Sequence, residues 1–379
     1  MKIAYYIDTV IPTQRANMVH VMKMCQAFSD LGHAVTLFCD ASERIMDLDQ
    51  FRKQYAVSDH FDIQTAYIPT LLRKYGHRLG AYYGAYKKAQ MPVNSDYAYS
   101  RSVATLFFIR NKIRYIYEAH MEPDLLNRQI ERSVLIHKNC VGFVVISMAL
   151  KKRYLELFPF LDPEFITVLH DAADLPVADF CSRSEINAEE NEVKIGYVGH
   201  LYPGKCMETL IPLAKRCPQY RFHIVGGTDE WVTHWQTQSR KEQIDNLLFY
   251  GYVDNGKVGN YYHAFDIAIL PFSQKISIGK GKHTNIGNWI SPLKLFEAMA
   301  YGKAIIVSRL ATIEEVLVDG EDCVMVEPDN IEDWAKKLEQ LCKDTVLQTR
   351  IGNAAREKLA REYTWLERAR RAANLFYKY

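Results

Sequence analysis

Short apolar runs that close on glycine or proline, separated by helix-length segments, leave a chain few folds to adopt. Residues 193–271 are built this way, and two further short apolar runs follow by 326. The runs fall at 193–199, 222–227, 247–251, 267–271, 304–307 and 323–326. Each is the length and composition of a strand buried on both faces. Strand and helix in alternation imply a parallel sheet covered by helices, and such sheets bind ligands at the carboxyl ends of their strands. The first half shows the same alternation less sharply. Ile3 to Ile7 reads as a strand and 11–17 as a polar loop. Met18, Val21, Met22, Cys25, Phe28 and Leu31 then fall at helical spacing, with Gly32 as the stop. Further strands are expected at 34–38, 97–99, 114–117, 142–146 and 166–169.

A chain of 379 residues exceeds one ordinary core, so two domains are the expectation. The polar stretch 175–192 is the best linker, and amphipathic helices are expected at 331–341 and 365–379. A net charge of +2 gives no global attraction to nucleic acid. The cysteines are scattered with no C-x-x-C pair, which speaks against structural zinc or a redox motif. No apolar run reaches the ~18 residues of a membrane span. The opening residues turn polar at Asp8, too soon for a secretory leader, so a reducing cytoplasm is expected.

Two stretches carry chemistry. In 291–303, Ser291 suits an N-cap and Pro292 a first helical position, with Leu293, Phe296 and Ala300 on one face and Gly302 as the C-terminal cap. Lys294 and Glu297 lie a turn apart on that helix. In 199–205, Gly199, His200 and Lys205 form a glycine turn with a lysine between a strand and a helix, which is a phosphate site or a plain βα loop with a solvated lysine. If both loops face one sheet edge, Lys205, Lys294 and two helix N-termini converge in a geometry suited to a diphosphate.

Taken together these stretches resemble the retaining glycosyltransferases of family 4. The resemblance implies the GT-B fold, an α/β architecture of two Rossmann-like doubly wound domains facing a central cleft. It rests on 197–205, similar to a phosphate loop ending in lysine, and on 291–300, similar to a helix whose glutamate grips the donor ribose. It rests also on 248–253 with 264–271, similar to a nucleobase pocket, on Tyr117-Glu118-Ala119-His120, and on the opening helix before His33. It implies His120, Lys205 and Glu297 as catalytic residues. The implied donor-binding set is Gly199, His200, Lys205, Gly226, Tyr252, Val253, Ser291, Pro292, Leu293, Lys294 and Glu297, with Arg15 and Asn17 in an acceptor or donor loop. Three positions depart from the family pattern. Trp289 stands where an acidic residue is usual, His200 where arginine is usual, and Arg15-Ala16-Asn17 where a glycine pair is common. The basic stretch 273–290, with Lys275, Lys280, Lys282 and His283, could close over the phosphates or be a solvated loop.

The implied reaction moves a sugar from a nucleotide-diphosphate donor to a glycan, lipid-linked or small-molecule acceptor, with no metal and no cofactor. The expected domains are an acceptor-binding half at 1–176, a nucleotide-sugar half at 177–364, and a terminal helix at 365–379 returning to the first. Residues 71–88, tyrosines mixed with basic side chains, read either as a contact with the inner face of the membrane or as an amphipathic helix with a solvated basic face. A nucleotide-sugar epimerase of the same architecture and a catalytically inactive binding subunit are the rival readings.

Overall fold

The computed structural model describes residues 1–13, 16–42, 47–69, 71–72, 77–92, 94–125, 127–176, 186–187, 192–273 and 287–378. The chain forms two compact units, one of Met1–Asp171 with Trp365–Tyr379 and the other of Ala172–Thr364. The division thus falls after Asp171 rather than at 176/177. Ala173 is tied to the second unit because its N–H donates to the Tyr363 carbonyl at 3.1 Å.

The first unit runs β1 (Lys2–Ile11), α1 (Ala16–Asp30), β2 (Ala34–Ala41), α2 (Leu48–Gln54), β3 (Asp62–Tyr67), α3 (His77–Gln90) and β4 (Tyr97–Ser100). It continues through α4 (Val103–Ile109), β5 (Arg114–Ala119), α5 (Arg128–Leu135), β6 (Cys140–Val145), α6 (Met148–Leu157) and β7 (Ile166–Val168). Its sheet is seven-stranded in the order β3-β2-β1-β4-β5-β6-β7. Every pairing in it is parallel. Ile3, Ala4, Tyr5 and Tyr6 have no exposed surface, as a central parallel strand requires. Ser102 and Ser147 start α4 and α6, their side chains accepting from the N–H groups of Thr105 and Leu150.

Three expectations for this unit change. β1 does not stop at Ile7. After a register shift it pairs Val10 and Ile11 with Asp40 and Ala41, because β2 continues beside it. The apolar pattern predicts no strand at β3. As an edge strand it buries only Ile63 and Ala66 of a polar sequence, so it lacks an apolar run. Residues 73–76 lie outside the described residues, but α3 does not present a uniformly solvated basic face. Lys88 is fully buried, with its ammonium 2.6 Å from Asp40 and 3.2 Å from Asp8. Replacing Lys88 with methionine strands two carboxylates and is expected to cost about 3–5 kcal/mol in urea unfolding.

The second unit runs β8 (Ile195–Val198), α7 (Met207–Arg216), β9 (Phe222–Val225), α8 (Asp229–Lys241), β10 (Leu247–Gly251), α9 (Asn255–Ala264) and β11 (Ile267–Leu270). Then follow α10 (Leu293–Ala300), β12 (Ala304–Ser308), α11 (Ala311–Glu314), β13 (Val324–Val326), α12 (Ile331–Lys343) and α13 (Thr345–Glu362). Its sheet is six-stranded and parallel in the order β10-β9-β8-β11-β12-β13. The order reverses between β8 and β11, the place where doubly wound sheets open a crevice at their carboxyl edge. α13 is a helix that the periodicity does not predict, since its buried side is only a narrow stripe of Ile351, Ala355 and Leu359 beside Gly352. The last helix, α14 (Trp365–Asn374), belongs to the first unit. Among the described residues no helix is long and apolar enough to cross a membrane.

Candidate functional site

The strand ends of the second unit are laced together by glycines. The Gly199 N–H donates to the Val225 carbonyl at 2.9 Å and the Gly226 N–H to the Gly251 carbonyl at 2.7 Å. Gly226 has φ +113°, and a Cβ placed there would stand 2.2 Å from the Gly199 carbonyl oxygen. No side chain fits without moving the loop backbone. Gly226→Ala is therefore expected to lower stability by about 3 kcal/mol or more in urea unfolding.

The lysines of both stretches meet at this edge. Lys294, on the first turn of α10, donates its ammonium to the Tyr197 hydroxyl at 2.9 Å. The same ammonium lies 4.1 Å from the Tyr197 ring centroid and 4.5 Å from that of Phe272. Tyr197 lies at the end of β8 and Phe272 follows β11, so Lys294 stands at the point where strand order reverses. The Tyr197 hydroxyl in turn donates to the His200 carbonyl at 3.0 Å, which fixes the loop. Lys205 lies 5.1 Å from the Tyr202 ring, on which His200 also stacks. Burial pushes Lys294 down to about 7, with the charge of Lys205 adding to the effect. Burial pushes Lys205 down to about 8. His200 is held below its ordinary value by burial, then by Lys205 and Lys294. These groups share too little water to stay charged easily, which is how an anion site is poised before its ligand arrives.

α10 is anchored by Leu295, Phe296, Ala298, Met299 and Ala300. Leu293 is only half-buried, so the buried face differs from the expected one. The cap is corrected too. Pro292 itself is the N-cap, in extended conformation, and Ser291 precedes it buried. A ring with its φ already fixed can hold that position without a side-chain cap. The far end is as expected. Gly302, at φ +61°, donates to the Met299 carbonyl and Lys303 to that of Ala298, which closes a Schellman motif. Between these ends Glu297 projects beside Tyr262, whose hydroxyl donates to the Lys294 carbonyl at 3.1 Å. Tyr252 and Val253 follow β10, Tyr252 exposed and Val253 packed on the core. Trp289 is half-buried. Lys275, Lys280, Lys282 and His283 lie outside the described residues.

In the first unit, His120 follows β5 and keeps 18% of its side chain exposed. Asn17 donates to the Thr9 hydroxyl at 2.8 Å, and Arg15 lies outside the described residues. Around His120 is a polar cluster that the sequence did not announce. Its Nε2 lies 2.5 Å from Glu118 Oε1. Glu118 also accepts from Arg368 at 2.8 Å and from the Tyr99 hydroxyl, and stands 3.1 Å from His20 Nε2. His20 Nδ1 is 2.7 Å from Asp171. The one local signal is a histidine inside the apolar stripe of α1. His20, Glu118 and His120 each bring a ligand atom within 4.8 Å of the others. The Arg368 guanidinium on Glu118 opposes a divalent cation there, so the donor set does not fit a metal.

Residues 181–358 match the model of the family described as glycosyl transferases group 1. An uncharacterised glycosyltransferase of Methanocaldococcus jannaschii is 22% identical over 273 residues, 70% of this chain and 63% of that protein. A D-inositol 3-phosphate glycosyltransferase of Mycobacteroides abscessus is 25% identical over 189 residues, 48% of this chain and 40% of that protein. The alignments thus cover less than two thirds of these relatives. Among solved structures, a sucrose-phosphate synthase from Thermosynechococcus elongatus superposes with TM-score 0.74 at 17% identity, over 100% of this chain and 98% of that one. Anabaena HepE in complex with UDP superposes with TM-score 0.73 at 14% identity over 100% of both chains. The fold of these two Rossmann-like units is that of the GT-B glycosyltransferases.

Proposed function

We propose that the protein, whose residues 181–358 match the family model described as glycosyl transferases group 1, is a retaining, metal-independent glycosyltransferase using a nucleotide-diphosphate sugar. The observation that carries the proposal is the meeting of Lys294, Lys205 and His200 at the carboxyl edge where β8 and β11 diverge. Departure of a nucleoside diphosphate leaves charge on the β-phosphate. Two partly buried ammonium groups and the N-terminal N–H groups of α10 would stabilise it. Glu297 would accept the ribose hydroxyls, residues 252–253 would border the base, and His120 would contact the donor sugar. The leaving phosphate would take the acceptor proton on the face it departs from, so no carboxylate nucleophile is needed. Relatives include proteins named for O-antigen biosynthesis, which favours a glycan or lipid-linked acceptor bound by the first unit. The test is nucleoside diphosphate release from a panel of donors, with and without acceptor and with chelator, followed by NMR of the product anomer. Acceptor-dependent release, insensitive to chelator and giving the donor's anomeric configuration, is expected. An inverted product would refute the retaining mechanism.

The lysines predict a pH dependence. Free Lys294 and Lys205 sit at about 7 and about 8. A diphosphate stabilises their charged forms and raises both values, so affinity is full below neutrality and falls as pH rises through the raised, ligand-bound values. At about pH 8 binding should take up about one proton. Calorimetry in two buffers of different ionisation heat reads this directly, and identical heats would refute it.

A further inference from the structure

His120 is not free to choose which ring nitrogen carries its proton. Burial pushes the Glu118 carboxyl up, but Arg368, His20 and His120 together hold it well below the usual carboxylate range. An ionised carboxylate only accepts hydrogen bonds, so the His120 nitrogen 2.5 Å from it must be N–H. Burial and the nearby Arg101 charge push the His120 ring down to about 3, against the pull of Glu118. The ring is therefore neutral, and its other nitrogen, Nδ1, carries a lone pair. His20 faces a carboxylate from each of its nitrogens, Asp171 at 2.7 Å and Glu118 at 3.1 Å. Asp171 is held ionised against burial chiefly by His20. His20 Nδ1 is hydrogen-bonded to Asp171, while its Nε2 faces Glu118 without a hydrogen bond. A further proton on His120 would stand against the Arg101 charge in a buried site. Trp365 packs its edge on the His20 ring, so the last helix both supplies Arg368 and clamps His20.

We propose that Asp171, His20, Glu118 and Arg368 are positioning residues that lock His120 in its Nε2–H tautomer, presenting Nδ1 as the acceptor for a hydroxyl of the bound sugar. The assignment of that hydroxyl to a sugar rests on the glycosyltransferase reading above. The lock itself does not. The cluster spans α1, the ends of β4, β5 and β7, and α14, all within the first unit. The groups facing His120 are Arg101, Glu118, His20, Asp171 and Arg368, and an exchange at His20 leaves the Glu118–Arg368 pair in place.

The experiment is a long-range 1H–15N correlation spectrum of the full chain labelled at histidine, with a His120→Gln spectrum for assignment. His120 should show Nε2 protonated and Nδ1 free, unchanged from about pH 8 to about pH 5. A protonated Nδ1, or titration within that range, overturns the proposal. His20 is among the groups that hold the His120 ring down, so His20→Gln should raise the His120 pKa and move the acidic limb of kcat upward with it. A folded His20→Gln protein with the wild-type His120 titration also overturns it. The spectra need no turnover. A correct tautomer in a protein that transfers no sugar would count against the proposed function alone.

Discussion

Replacing Glu297 with alanine is expected to abolish sugar transfer and weaken nucleotide binding at least tenfold while the protein stays folded. The fold side of this prediction is local. α10 is anchored by Leu295, Phe296, Ala298 and Met299 and closed by its Schellman turn, and the Glu297 side chain contributes to neither. On the binding side, its carboxylate has two oxygens that would accept from the vicinal ribose hydroxyls of the proposed donor. Hydrogen bonds to a charged group are worth about 1.5–3 kcal/mol each, so loss of even one gives roughly a tenfold change or more. Glu297→Gln keeps one acceptor oxygen and should fall between wild type and alanine. Titration calorimetry with nucleoside diphosphate is the measurement. Wild-type affinity in a folded Glu297→Ala protein would remove this residue from the site.

Lys205→Ala is expected to cut nucleoside diphosphate affinity by roughly ten- to a hundredfold, the loss of one charge-assisted contact, and to leave free nucleoside unaffected. Lys294→Met should do the same, and the comparison is informative. Lys294 lies between aromatic rings and is bonded to Tyr197, so it is held in place before any ligand arrives. Lys205 lies 5.1 Å from the Tyr202 ring centroid. Removing Lys205 also lifts a repulsion from Lys294, so the Lys294 pKa rises and the proton uptake on binding shrinks. Equal losses of nucleoside and diphosphate affinity would refute a phosphate role for these lysines.

These residues stand out in the amino-acid sequence because their signals are local. A glycine turn, a lysine and a helix start lie within 199–207, and a strand, a proline and an apolar stripe frame 291–303. Even there the details depend on the fold. The cap is Pro292 rather than Ser291, and Lys294, readable as half of a surface ion pair with Glu297, points at Tyr197 instead.

Two parallel α/β units, and the strand ends where a ligand would sit, follow from local patterns alone. Apolar periodicity and glycine punctuation act over a few residues, and the chain must satisfy them wherever it goes. The burial of charge follows from no local pattern and is set by how the strands and helices come together. Arg368 meets Glu118 across 250 positions of sequence and His20 meets Asp171 across 151. Lys88, readable as part of a solvated basic face, finds Asp8 and Asp40 from strands far away in the chain. A charged side chain in a local window looks solvated, because water is the default partner. It can be buried only where a compensating charge arrives from elsewhere, and that arrival is a property of the folded sheet rather than of any stretch of the sequence.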